Sequence, residues 1–179
     1  NSKSVTLFFG NLLSHIPAIF KSFFLFQPFF VTKYYNKKML KILNNIFAEN
    51  IIDLIQIEYN IMHHYLNYKS VFKNNIKSVL MLHDVSTKVS MRSYQLEINP
   101  FVKFKKYIEY LKWNKIEPEI IKKFDYIIVL TEEDRNYISK WRSEQVHTIP
   151  PQLNLSNLKI TEKKEIQIIF IGSFNREPN

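Results

Sequence analysis

Cysteine is absent from the 179 residues, so the chain holds no disulfide, no thiolate metal ligand and no cysteine nucleophile. That absence fits a reducing compartment. Glycine is nearly absent as well. Gly10 and Gly172 are the only two, against an average usage of roughly 7%. A phosphate-cradling loop of the GxGxxG or P-loop kind needs more glycine than this, so neither is present. A long unbroken apolar run is missing too. The window from Val5 to Val31 has the length of a membrane span, about 20 residues. Pro17, Lys21 and Pro28 interrupt it, however, and Asn11, Ser14 and His15 lie inside. No basic amino-terminal region or small-residue cleavage site marks a signal peptide.

What is there is an apolar, aromatic and basic chain. At 46% hydrophobic and 15% aromatic residues it can bury a substantial core. Its length suits one ordinary domain, or one domain and the edge of another. The formal net charge of +9 has two readings: an anionic partner, or a lysine-, asparagine- and isoleucine-rich composition bias with lysines on solvated faces. Arginine, at only four positions, fits the second. The opening stretch HIPAIFKSFFLFQPFFV combines Phe with scattered Lys. That combination suits a short interfacial segment, or exposed loops over a core, better than a span.

Periodicity divides the rest into alternating elements. Met39, Leu40, Leu43, Ile46 and Phe47 fall at helical spacing between Lys33 and Ala48. IIDLIQIEY is a β-branched strand run, and SVLMLHD, FDYIIVLT and QVHTIP are three more. MHHYLNYKSVF is helical or irregular. A long helix is expected from about Pro100 to Lys123, with a possible break at Pro118. TEEDRNYISKW reads as a helix with Thr131 as its cap and acids in its first turn. This rhythm is that of an α/β fold, a doubly wound Rossmann-like parallel sheet. Strands buried on both faces read as continuous apolar runs, as VLMLH and YIIVL do. Residues 1–150 form this domain, 151–165 a polar linker, and 166–179 a further buried strand with a glycine turn.

Ligands of such sheets bind beyond the carboxyl ends of the strands. The rule selects Glu58, Tyr59, His83, Asp84 and Thr131. His83-Asp84 can bind a phosphate or sugar hydroxyl, or transfer a proton near neutral pH. Alternatively, His83 is a satisfied strand-end histidine and Asp84 begins a turn or caps a helix. His63-His64 is not read as a metal site, because adjacent helical residues do not share a face and the i, i+4 spacing is absent. The lysines of KFKKYIEYLKWNK are read as solvated opposite core-facing aromatics, so nucleic acid is not an expected partner.

Five landmarks in order carry a resemblance: IIDLIQIEYNIMHHYL, SVLMLHDVSTKVSMRSYQ, KYIEYLKWNKIEPEIIKKFDYIIVLTEEDRNYI, VHTIPPQLNL and IIFIGSFNREPN. Together they resemble the nucleotide-sugar glycosyltransferases of family 4, the group 1 set with two-domain GT-B architecture. The matching positions include His83-Asp84, Arg92, Glu117, Asp125, Thr131, Glu132, Asp134, Ile149 and Pro150, over about Ile51 to Asn179. Two features depart from the pattern. The family's first strand and glycine-containing loop are not recognisable before Leu7, and Pro-Gln stands where many members have Asn-Gly.

The resemblance implies a retaining transfer of a sugar from a nucleoside-diphosphate donor to an acceptor hydroxyl, without a catalytic metal or other cofactor. The acceptor side is this domain, and residues 166–179 open a donor-binding domain whose carboxylate pair is not in the sequence. The 179 residues alone are therefore expected to be inactive. His83 takes the catalytic position, Glu58, Tyr59, Asp84, Arg92, Thr131 and Glu132 face the acceptor cleft, and Gly172 and Ser173 approach the donor pyrophosphate. A glycan or lipid-linked acceptor, a cytoplasmic location and peripheral contact with the inner membrane face complete the expectation. The rival, from another class, is a non-catalytic α/β binding or interaction domain that keeps the scaffold alone.

Overall fold

A computed structural model describes residues 16–66 and 76–152. Residues 16–24 are helical (α1), followed by α2 (Phe29–Lys33) and α3 (Lys37–Glu49). Then come β1 (Leu54–Glu58), a 3-10 helix (Asn60–Tyr65) and β2 (Lys77–Leu82). The remaining elements are α4 (Ser86–Leu96), α5 (Pro100–Lys122), β3 (Tyr126–Val129), α6 (Glu132–Ile138) and β4 (Val146–Thr148). The four strands pair in parallel in the order β1-β2-β3-β4. All four expected strands are present and the protein is α/β. The strand order advances in one direction among the described residues, which is compatible with a Rossmann-like sheet. The strand and glycine turn expected over 166–179, and with them Gly172 and Ser173, lie outside the described residues, as does the linker after residue 152.

The sheet is buried where the sequence is continuously apolar. Leu80, Leu82, Ile127 and Val129 are almost fully covered, packed with Ile120, Ile121, Phe124 and Ile138. β1 lies at the edge and is mostly exposed, with Ile57 its one buried residue. At the opposite end of the strands Asp125 ties β3 to β2. Its carboxylate accepts hydrogen bonds from the Ser78 amide and hydroxyl, both at 2.8 Å. Arg142 closes the same end by donating to the carbonyls of Ile121, Phe124, Asp125 and Glu144. These include the Ile121 carbonyl in the last turn of α5, where intrahelical donors run out.

Three helical segments go beyond the sequence expectation. The long helix expected from about Pro100 to Lys123 is present, and at Pro118, where it could have broken, the 23-residue α5 is continuous. Proline removes one intrahelical bond and costs roughly 3 kcal/mol in a free helix. Here Trp113, Glu117, Ile120 and Ile121 are buried around it, and their packing outweighs that cost. α4 has no counterpart in the sequence reading, and it forms against α5. Finally, the Phe-rich opening, read as a short interfacial segment or exposed loops, is helical over residues 16–24 and in α2, and both parts are anchored on α5. The Phe29 amide donates to Glu109 at 2.8 Å, and the buried Lys112 ammonium donates to the Ser22 hydroxyl at 2.8 Å. No helix among the described residues is long and apolar enough to cross a membrane.

Candidate functional site at the carboxyl edge of the sheet

Parallel pairing aligns Glu58 with Met81, so the residues that follow β1 and β2 emerge side by side. His83 Nε2 lies 2.7 Å from Glu58 Oε2. A carboxylate only accepts, so Nε2–H donates; in the neutral tautomer that this bond selects, Nδ1 is left as an acceptor. This hydrogen bond holds the Glu58 carboxyl below its ordinary value, with a further contribution from Gln56, whose amide donates to Oε1 at 2.5 Å. The Tyr59 ring stacks on His83, with centroids 4.2 Å apart and planes inclined by 17°.

Tyr59 has φ 67° and ψ 132°. A bulky aromatic at positive φ is strained by about 1–3 kcal/mol and persists only when its surroundings fix it. Its amide is fixed by donation to the Met81 carbonyl at 3.0 Å. Glu58 and His83 are part-exposed and so open to a ligand. On the α3 side of β1 a cleft of about 670 Å³ extends from Glu58 and Tyr59 between Met39, Leu43, Phe47 and Met62. A polar dyad with an apolar channel beside it suits a ligand carrying a hydroxyl and an apolar portion.

The other predicted residues separate from this cluster. Asp84 is exposed next to His83. Thr131 caps α6: its hydroxyl accepts from the Asp134 amide at 3.1 Å and donates to the Asp134 carboxylate at 2.8 Å. Glu132 pairs along its own helix with Arg135 at 3.6 Å. Arg92 reaches Glu133 at 3.2 Å. Lys88, which the sequence reading passed over, joins Glu133 at 2.5 Å and Asp134 at 2.9 Å. Burial works against its ammonium, but the two carboxylates outweigh that and raise its pKa. A second, α4–α6 charge cluster therefore lies beside the β3 terminus.

Glu117, also unassigned a site role by sequence, is fully buried behind the turns that carry Glu58 and His83. Burial pushes its carboxyl up, against the hydrogen bonds it accepts from α4 and Asn60. Both ring nitrogens of His64 are buried without a hydrogen-bond partner, and burial first, then the neighbouring His63 and Lys21, pushes this histidine down to about 4. Among the described residues no cluster of three His, Cys, Asp or Glu has metal-binding geometry. Compared with protein-family models, curated proteins and solved structures, the chain matches none of them.

Proposed function

We propose that this chain is the acceptor-side domain of a retaining nucleotide-sugar glycosyltransferase with GT-B architecture and a doubly wound sheet. The observation that carries the reading is the convergence of Glu58, Tyr59 and His83 at the carboxyl edge of a parallel sheet, where α/β folds bind ligands. An acceptor hydroxyl donates to His83 Nδ1, while Glu58 fixes the ring's tautomer and stabilises its charge if the proton moves. The Tyr59 ring offers an apolar face to a sugar. The neighbouring cleft takes the hydrophobic part of a lipid-linked acceptor. The order of the five sequence landmarks supplies the reaction class, and the donor falls to another domain.

The test is an NMR titration of the isotope-labelled chain with methyl glucoside, with octyl glucoside below micelle formation, and with UDP. Both glycosides are expected to shift the Glu58, Tyr59 and His83 resonances. Octyl glucoside should bind at least about tenfold tighter, because each buried methylene contributes about 0.8 kcal/mol. UDP should leave these resonances unmoved. Shifts with UDP alone would replace the acceptor reading by a nucleotide-binding one. Silence with all three probes would favour a scaffold without the chemistry.

A further inference from the structure

Glu117 lies on α5, remote in sequence from both turns of the site, yet it holds both. Its Oε1 accepts from the Asn60 side-chain amide at 2.5 Å and from the Ser86 backbone amide at 2.8 Å. Its Oε2 accepts from the Thr87 amide at 2.7 Å. Asn60 and Ser86 also bond each other through their side chains, at 2.9 and 3.1 Å. Asn60 directly follows the strained Tyr59, and Ser86 begins the helix three residues beyond His83. One buried carboxylate thus clamps the β1 turn to the β2 turn.

α4 needs such a partner. Its own N-cap, Val85, has no side chain able to accept a hydrogen bond, so its first amides are left to Glu117. An acceptor at a helix amino terminus also meets the positive end of the helix dipole. Three donors converge on two oxygens, which fixes the carboxylate plane and, through it, the spacing of the two turns.

We infer that Glu117 is the positioning residue of the site, holding Tyr59 against His83 and His83 within reach of Glu58 through Asn60 and the α4 amides. The inference rests on reading Glu58, Tyr59 and His83 as the site, but its test does not depend on any ligand. Ring protons of Tyr59 and His83 give a cross-relaxation signal in NMR, and the Tyr59 ring current shifts the His83 protons. Glu117→Gln keeps the shape but turns an amide donor toward the α4 or Asn60 donors. It is expected to lose at least about half of the Tyr59–His83 signal and to move the His83 protons. Ile138→Val, a core change at the end of α6, is expected to leave both signals unchanged.

Asn60→Ala removes the arm toward Tyr59 together with its bonds to the Ser86 hydroxyl, and leaves the α4 amides capped by Glu117. It is expected to weaken the stacking signal while the α4 amide resonances hold. A folded Glu117→Gln with wild-type signals would overturn the inference. If that variant does not fold, an unchanged signal in Asn60→Ala overturns it instead. Changed signals together with failed glycoside binding would leave the clamp standing and remove only the acceptor reading.

Discussion

At the scale of single residues, the histidines divide by environment. His83 is half-exposed and bonded to Glu58, whereas His64 is enclosed by Tyr35, His63 and Tyr65 with neither ring nitrogen paired. A proton on His64 meets no acceptor, so the folded state resists it until about pH 4, while the unfolded chain takes it up near 6.5. Between those values the unfolded state binds more protons. Stability is therefore fully present above 6.5 and is lost as pH falls toward 4. Burial lowers His63 as well, adding to the same slope. Discounted for the partial exposure of the ring, the His64 contribution is about 2 kcal/mol. Urea unfolding at a series of pH values should show this loss, and His64→Phe should flatten most of it. An unchanged slope in His64→Phe would assign the acid sensitivity to other groups.

At the scale of elements, the strands were legible because β2 and β3 carry short, continuous apolar runs and all four lie in β-branched stretches bounded by polar residues. α6 was legible because its cap and acidic first turn are local: Thr131 and Asp134 are three residues apart. α4 was not. Its sequence, STKVSMRSYQL, has little apolar periodicity, and its cap is Glu117 on α5, a contact no local pattern announces. The continuation of α5 through Pro118 was hidden for the same reason, since burial around it decides the outcome. Glu58, Tyr59 and His83 could be picked out by the strand-end rule, but their stacking and bonding follow from parallel register. The cap of α6 gives a direct test. Thr131→Ala should cost about 1 kcal/mol in denaturant unfolding, and Thr131→Ser should restore most of it. Asp134 also binds Lys88, so Lys88→Met and Thr131→Ala are expected to be non-additive. Strict additivity would show that α4 and α6 are not coupled through Asp134.

At the scale of the whole molecule, the apolar surface is unevenly distributed. Phe20, Phe23, Phe24, Leu25 and Phe30 project from the α1–α2 region, with Phe23 and Phe24 about three-quarters exposed. Lysines accompany them: Lys33 lies over the rings of Phe29, Phe30 and Tyr34, and Lys115 over Phe26. Sequence reading took this combination as a short interfacial segment or as exposed loops. The helical segments present the rings together, while Lys112 and Glu109 anchor them to α5. Phenylalanines that enter the acyl boundary, flanked by cations that meet acidic headgroups, form a surface suited to an anionic bilayer. The net charge of +9 acts in the same direction. Flotation with vesicles of roughly one-third acidic lipid should recover the chain, and neutral vesicles should not, because each lysine near the surface contributes about 1 kcal/mol. Raising the salt should weaken recovery. The double variant Phe23→Ser and Phe24→Ser should lower the apparent affinity by about tenfold or more through lost apolar burial, while thermal unfolding stays unchanged because neither ring belongs to the core. Equal recovery with neutral and acidic vesicles, or a variant that floats like the parent, would show that these rings and lysines do not bind an anionic bilayer.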